Sequence, residues 1–588
     1  MPNSEQTLSA RKVPENAGFP LLPWSDVFPV LLLVILAANF AFQQITWGDF
    51  WMHLAQGRYI LEHRVVPTSE MFSYTYYGKT WFNWEWLHNV LIAFVWNGKG
   101  PAGIVALRIF LFCATLALFY FLLRRLRVSP SVSFLFSGAA FLMVQMRMSD
   151  RPHFLVYPLL VLSLYLLFAG ERRRLTLIDL VCLSAVLACW RNVHPSWVLG
   201  VVLTILFYID RSWRDRMSDV KKTLFEALGL IALATIAVSA TPLPLDLSLH
   251  ATLLFSGNSG VILDEWRSLF SYSHEWYKPF YLTFFLIVFS VLVSLRHAVR
   301  ERPFYTLFVL VMFASAFVHL RFIPEACLVG MPLAAEFVDA RKPLLSTRSS
   351  IAVTVLIFML VFLIGEMNRS SSFFDKREAS IDASMVPLHA ANFMRDHGLG
   401  GNVYGHYTGS MDFLMGYLYP RIKVAWDMRI PAVYPHDFAQ TYWAIHSPED
   451  FKEFVLPFPL DYILLGHADI RLDTQEDVVL ERLLLQEGYD LIYFDKFSAL
   501  YRSPRKSSGD AGESGAPDAF KVLTRWNSDR AALLKNMRDG RFDQMIDEVL
   551  VLKRRTAGRD DFYREVIIGL YRNLDLSDQQ KGILEELF

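Results

Sequence analysis

Asp49 and His53 stand four residues apart in the segment Trp47-Gly48-Asp49-Phe50-Trp51-Met52-His53. If a helix runs from Trp51 to His63 with Asp49 just before it, that spacing turns both side chains toward one pocket. A carboxylate so placed can act as general base toward an acceptor hydroxyl or amine, or bind a metal. It would equally serve as the cap of that helix. Glu62, Glu70, Glu85 and His88 follow in the same stretch, which runs on through Trp81-Phe82-Asn83-Trp84-Glu85-Trp86. Tryptophan and tyrosine favour a lipid–water boundary, because their rings are apolar while the N–H or O–H stays wet. A carboxylate at that boundary is costly unless it has a partner or a task.

Four later turns add ionisable residues to the same side of the chain's apolar blocks. They read Arg147-Met148-Ser149-Asp150-Arg151-Pro152-His153, then Trp190-Arg191-Asn192-Val193-His194, then Asp264-Glu265-Trp266, then His319-Leu320-Arg321. Arg151, Arg191 and Arg321 could each grip a phosphate through a planar two-pronged contact. Each could instead snorkel to the interface or meet a lipid headgroup. Glu85, Asp150, His153, His194, Asp264, Glu265 and His319 are candidate pocket residues. The histidines would ligate a metal only if their helices converge, and a lone histidine at a helix end is more often a hydrogen-bonded structural residue. Metal use is left open, and no organic cofactor is expected. Farther on, Tyr404-Gly405-His406-Tyr407-Thr408-Gly409 and Trp426-Asp427-Met428-Arg429 combine a glycine-rich turn with a strand end. Such turns let backbone approach a ligand, and they are also ordinary turn chemistry. Tyr404, His406 and Asp427 are the candidate acceptor-side residues.

Positioning these residues is the work of a membrane scaffold. Of 588 residues 53% are hydrophobic and the net charge is zero, which is apolar for a chain of this length. The apolar residues come in blocks of spanning length. About eleven spans are expected, near 24–44, 89–122, 131–147, 153–169, 177–190, 196–209, 223–241, 279–295, 304–320, 323–338 and 350–366. Arginine and lysine clusters fall before the first span or in even-numbered gaps, which predicts a cytoplasmic N-terminus and an odd number of crossings. The side carrying the candidate residues is then extracytoplasmic. No cleavable signal pattern precedes the first span, which is expected to stay in an inner (plasma) membrane. The four cysteines lie in or beside spans without zinc spacing. Balanced charge without a basic block argues against nucleic acid.

The fold class expected is a polytopic α-helical membrane protein with a C-terminal extracytoplasmic α/β domain and a small helical tail. Residues 1–23 read as a disordered tail, 24–366 as the transmembrane domain with its first external loop at 45–88, and 367–503 as the α/β domain. A linker at 504–517 and a helical segment at 518–588 complete it. In the α/β domain a helix from Val386 to His397, closed by Gly398, precedes strands at 402–405, 422–426, 461–466 and 489–494, with 498–502 as a hairpin partner.

A short cytoplasmic tail, a first span and a long external loop with an early acidic residue resemble the GT-C superfamily of integral membrane glycosyltransferases. That group includes protein O-mannosyltransferases, the lipid A aminoarabinose transferase and the catalytic subunit of oligosaccharyltransferase. The likeness is sharpest from Gly48-Asp49-Phe50 through Phe72-Ser73-Tyr74-Thr75 to Trp84-Glu85-Trp86. It implies a polyprenyl-phosphate or polyprenyl-diphosphate sugar donor, inverting transfer to an extracytoplasmic glycan, lipid or protein, and an acidic residue at the reaction centre, here Asp49. Two departures stand out. Asp49 is followed by Phe50 where many members carry a second acidic residue, and Asp150 is single where the oligosaccharyltransferase subunit is expected to hold a metal-binding pair. Two other classes compete: a lipid or polysaccharide transporter, which usually shows internal repeats and charges near the bilayer midplane, and a non-catalytic scaffold of an envelope assembly.

Overall fold

The computed structural model describes residues 23–46, 48–147, 150–169, 175–214, 266–341 and 347–370, most of 379–504, and short pieces between 227 and 243. Asp264, Glu265, His406, most of the predicted run 223–241 and the predicted segments beyond 504 lie outside the described residues.

The first part is helical: α1 (Trp24–Ala41), α2 (Phe50–His63), α3 (Trp86–Arg125), α4 (Pro130–Val144), α5 (His153–Ala169), α6 (Leu177–Val193), α7 (Trp197–Arg214), α8 (Pro279–Glu301), α9 (Pro303–Val318), α10 (Ile323–Asp339) and α11 (Thr347–Ser370). Apart from 223–241, every predicted apolar run coincides with one of them. Among the described residues α1, α3 and α8 are long and apolar enough to cross a bilayer by length and composition. The count of about eleven crossings is not established by these helices. The bundle core is aliphatic and aromatic, from Leu33 and Leu36 on α1 to Leu333 and Ala334 on α10. Partly buried ion pairs pin its ends. Arg124 holds Asp26 at 2.6 Å, and Arg302 holds Glu336 at 2.6 Å.

The C-terminal part carries α12 (Leu388–Asp396), β1 (Gly401–Tyr404), α13 (Thr408–Tyr417), β2 (Ile422–Val424), α14 (His436–Trp443), α15 (Pro448–Phe454), β3 (Tyr462–Leu465), β4 (Asp490–Phe494) and β5 (Ala499–Arg502). They form a five-stranded sheet in the order β2-β1-β3-β5-β4. β1 pairs parallel with β2 and β3, while β5 runs antiparallel between β3 and β4. The expected strands and the hairpin partner are therefore present.

The first loop shares its main apolar core with the sheet. Phe50, Trp51, Leu54 and Phe72 share one buried core with Val403, Phe413, Val424 and Trp426. Backbone bonds join the two parts. Tyr74 N–H donates to Val424 O at 3.1 Å and Val424 N–H to Phe72 O at 3.0 Å, so the loop adds a bridge beside β2. Ile45 is tied likewise to Ser380 and Asp382. Two glycines allow α2 to be gripped from both sides. A Cβ on Gly57 would stand 1.9 Å from Asn89 O on α3, and one on Gly416 would stand 2.2 Å from Trp51 O. Only hydrogen fits at such approaches. Helix α3 breaks at Gly100 (φ +57) before Pro101. Its first half joins the loop core (Ile92, Ala93) and its second half the bundle core (Leu111, Phe112, Leu116). α3 thus couples the two cores.

Candidate functional site

A cavity of about 220 Å³ lies where the first loop, the helix ends and the sheet domain meet. Its walls come from α2 (Asp49, Met52, His53, Gln56), the segment Trp81 to Glu85, the start of α5 (Arg151, His153), the turn at His194, the start of α10 (Arg321, Glu325) with Trp266, and the segment Met428 to Ile430. Asp49, His53, Glu85, Arg151, His153, His194 and Arg321, drawn from separate turns, therefore share one hollow.

Asp49 occupies the N-cap position of α2, yet its side chain makes no capping bond. The capping alternative fails for a geometric reason: the carboxylate turns away to Arg151. Oδ2 lies 3.2 Å from Arg151 Nε, and Oδ1 accepts from Nη2 at 3.3 Å. The backbone still supports the helix, with His53 N–H donating to Asp49 O at 3.0 Å. Glu85, just before α3, stands between two imidazoles, 3.8 Å from His53 Nδ1 and 3.8 Å from His194 Nε2. Its side chain lines the cavity and keeps 28% exposure. Burial, reinforced by Asp49 and opposed by Arg321 and Arg151, pushes the Glu85 carboxyl up to about 8. Glu85 is thus largely protonated at neutral pH.

His53 is buried. Its Nδ1 lies 2.7 Å from Asn89 Oδ1. Burial, with His88, Arg151 and His194 nearby, holds its ring well below the usual histidine range despite the Asn89 bond. His153 and His194 face each other with ring centroids 4.7 Å apart, and His194 Nδ1 meets Ser196 Oγ at 2.7 Å. Arg321 lies over the Trp266 ring at 4.1 Å, which places a cation on an aromatic face. Arg147 Nη1 donates to Arg321 O at 2.7 Å and fixes that turn.

Other candidates stand apart from the cavity. Arg191 is buried between the Trp84 and Trp197 rings, at 5.0 and 5.5 Å, and backs the cavity wall through Trp84. Asp150 does not line the cavity either. It pairs with Arg108 of α3, which also donates to Gln43 O at 2.9 Å, so this carboxylate fastens the turn to the bundle. His319 accepts no place on the wall and braces Trp266, with Nδ1 2.6 Å from that residue's carbonyl oxygen. Tyr404 is buried in the sheet core against Phe451. Asp427 is wholly buried and is occupied by Arg429, at 2.8 Å from Nε and 2.6 Å from Nη2, and by the Tyr434 hydroxyl at 2.9 Å.

Arg429 was not among the sequence candidates, although it follows Asp427 by two residues. It is the clamp of the site. Its Nη1 meets Glu70 Oε2 at 2.5 Å and its Nη2 meets Oε1 at 3.0 Å. Its guanidinium lies over Trp81 at 4.7 Å and Phe72 at 5.3 Å. Glu70 in turn accepts the N–H groups of Phe72 and Ser73 at 2.6 and 2.7 Å. The pair Glu70–Asp427 around one arginine locks the Met428–Ile430 wall onto the first loop. Asp412 lies nearby, wholly buried, and accepts from Met428 N–H at 3.3 Å. Burial with Asp427 and Asp49 raises its pKa well above the usual aspartate range. Among the described residues no group of His, Cys, Asp and Glu is arranged to hold a metal ion.

The arrangement offers a carboxylate–guanidinium pair, a second cation on an indole, a protonated carboxyl and neutral imidazoles, ringed by tryptophans. It can bind an anion and polar groups in one partly enclosed space. No family model matches the chain, and no curated protein matches it. Its fold is similar to those of solved GT-C glycosyltransferases. The oligosaccharyltransferase of Archaeoglobus fulgidus, tethered to an acceptor peptide, is 11% identical, with a TM-score of 0.54 over 82% of this chain and 74% of that one. The oligosaccharyltransferase AglB from Archaeoglobus fulgidus, in complex with an inhibitory peptide and a dolichol-phosphate, gives a TM-score of 0.53 at 11% identity, over 82% of this chain and 75% of that one. ArnT from Cupriavidus metallidurans in the apo state is 11% identical, with a TM-score of 0.51 over 81% of this chain and 97% of that one.

Proposed function

We propose that the chain is a membrane glycosyltransferase that moves a sugar from a polyprenyl-phosphate carrier to an extracytoplasmic acceptor with inversion. The observation that carries this reading is the cavity that gathers Asp49 and Glu85, from the two ends of the first loop, with Arg151 and Arg321 from two later turns. The fold likeness to lipid-carrier glycosyltransferases, one solved with a dolichol-phosphate, supports it. The arginine and lysine distribution supports a cytoplasmic N-terminus, with the cavity and the sheet domain on the far side.

In this reading the carrier's phosphate seats against Arg151 and Arg321. A phosphate competes with Asp49 for Arg151, so arrival of the donor releases the carboxylate. Asp49 then accepts the proton of the acceptor hydroxyl or amine while that atom attacks the anomeric carbon. The bond from that carbon to the phosphate oxygen breaks, and its electron pair leaves with the lipid phosphate. Preorganised cations stabilise the charge developing on that oxygen, commonly by roughly 3 kcal/mol for each donor. Protonated Glu85 donates a hydrogen bond within the site. Arg191 acts by holding Trp84 in place, and the Glu70–Arg429–Asp427 clamp presents the sheet domain as the acceptor-side wall.

The test uses the native host. A strain lacking the chain should accumulate an unconsumed polyprenyl-phosphate-linked sugar, detected by mass spectrometry of membrane lipids. The wild-type chain should clear it and Asp49→Asn should not, with both proteins present at equal levels. Clearance by the Asn variant removes the base role, and absence of any accumulating lipid-linked sugar removes the reaction.

A further inference from the structure

The hydrogen-bond direction of His194, in the turn between α6 and α7, is fixed by its neighbours. Its Nδ1 receives the backbone N–H of Ser196 at 3.1 Å. A backbone amide can only donate, so Nδ1 holds a lone pair and the ring hydrogen sits on Nε2. An imidazolium would set a second hydrogen against that amide, so the ring is neutral. The surroundings agree. Trp190 Nε1–H, also only a donor, gives its hydrogen to Ser196 Oγ at 3.1 Å. The hydroxyl then turns its own hydrogen to His194 Nδ1 at 2.7 Å. Trp190 and Ser196 are thus positioning residues, and His194 Nε2–H ends a one-way chain. That end faces Glu85, with Nε2 3.8 Å from Oε1. Glu85 is the largely protonated carboxyl of the cavity, so it also carries a hydrogen to donate. A gap of 3.8 Å is too long for a hydrogen bond between the two. It suits a third atom instead, because one acceptor oxygen can stand about 2.9 Å from both donors. Both side chains line the cavity and keep open surface, 11% and 28%.

From this geometry we infer that His194 and Glu85 form a two-donor seat for one oxygen of the carrier's phosphate, beside Arg151 and Arg321. An oxygen held there receives two hydrogen bonds and gives none, which suits a phosphate oxygen. Both arginines act on Glu85 across the cavity, so the seat adjoins the cations. The two neutral donors add hydrogen bonds without adding charge. Ionised Glu85 would instead set an anion against the phosphate, so carrier binding requires the proton on Glu85. Among the described residues, the groups that share the cavity with Glu85 are Asp49 and His53 of α2, Arg151 and His153 at the start of α5, His194, and Arg321 and Glu325 at the start of α10. Burial holds His53 and His153 neutral, and the arginines stay charged throughout. The inference rests on the reading of the cavity as a polyprenyl-phosphate site and adds the proton that the site must hold.

The experiment measures binding of undecaprenyl phosphate to the full chain in nanodiscs of graded lipid content, by tryptophan fluorescence. It runs from about pH 7.5 to about pH 9.5, where the phosphate is doubly ionised throughout. Wild-type affinity should fall about twenty-fold over that range, since each pH unit above about 8 costs ten-fold. Glu85→Gln keeps a donor and cannot ionise, so its affinity should stay within about two-fold. Glu85→Ala and His194→Ala each lose one donor and should bind about five- to ten-fold more weakly at the lower pH. His194→Gln, whose amide nitrogen takes the place of Nε2, should restore most of that loss. In 15N spectra of the histidine-labelled chain, His194 should be a neutral ring with its hydrogen on Nε2. Inorganic phosphate should compete only at millimolar concentration. A wild-type pH curve parallel to that of Glu85→Gln, or His194 protonated at Nδ1, would overturn the seat and leave the carrier reading standing. Inorganic phosphate competing as well as the lipid would keep the seat and overturn the carrier reading. No binding of undecaprenyl phosphate by the wild-type chain at the lower pH would overturn both.

Discussion

Glu85→Gln removes a carboxyl of raised pKa from the cavity wall while keeping its size. Burial and Asp49 raise the Glu85 pKa from the ordinary 4.5 to about 8. Because the folded pKa is the higher one, the contribution of Glu85 to stability is fully present below pH 4.5 and is lost as pH rises through about 8. Over that window the unfolded chain has released a proton that the folded chain retains. Each pH unit costs the folded state about 1.4 kcal/mol. Glutamine has no proton to release. The variant should match the wild type in stability near pH 4.5, lead it by roughly 3 kcal/mol at pH 7, and reach a constant lead of roughly 5 kcal/mol above pH 8. The side chain keeps 28% exposure, and water reaching it screens the interaction, so these leads are ceilings. The assay is thermal unfolding of both proteins in nanodiscs from pH 5 to pH 9, read as the difference in Tm at each pH. That difference should widen up to about pH 8 and then stay level. A difference that does not change with pH would mean that Glu85 ionises as an ordinary carboxylate, and the electrostatic account of the cavity would fail.

Other perturbations bear on the parts that hold the site. Glu70→Gln leaves Arg429 buried with half its anionic partners, and loss of one member of a buried ion cluster typically costs about 3–5 kcal/mol; a lowered Tm with earlier proteolytic release of the sheet domain checks it. Gly416→Ala forces a methyl group against Trp51 O, 2.2 Å from its ideal position. Separating α2 from α13 should destabilise by about 1–3 kcal/mol, and hydrogen exchange should quicken in α2 while the distant α8 stays unchanged. Asp150→Asn strips Arg108 of its anionic partner in the bundle, so it should lower Tm without abolishing binding of undecaprenyl phosphate, checked by thermal unfolding and lipid binding in nanodiscs.

The sequence made the first loop visible because its composition is unusual: carboxylates, histidines and tryptophans crowd where apolar runs would otherwise continue. The helix positions were legible for the same compositional reason, and the strands because short β-branched and aromatic runs lie close to a glycine or proline. The roles within the site were less legible, because they depend on partners distant in the chain. Asp150 reads like a pocket carboxylate, but its neutraliser, Arg108, lies 42 residues earlier inside an apolar run. Asp427 reads like a ligand-facing strand end, and Arg429 bridges it to Glu70 across 359 residues. Asn89 has an ordinary residue type, and only its bonds to His53, Gln56 and Asn83, beside the close approach that Gly57 permits at the α2–α3 contact, give it significance. The one local signal that could have exposed the clamp was the placing of Arg429 two residues after Asp427.

The central claim is that ionisable side chains from separate turns form one lipid-accessible chamber with Asp49 and Arg151 at its centre. A structure of the full chain in nanodiscs saturated with undecaprenyl phosphate tests it most directly. The account predicts the phosphate inside the cavity, about 3 Å from the guanidinium of Arg151 or Arg321, with Asp49 no longer held by both of its oxygens. A phosphate bound elsewhere, or a cavity closed to the lipid with the Asp49–Arg151 pair unchanged, would contradict it.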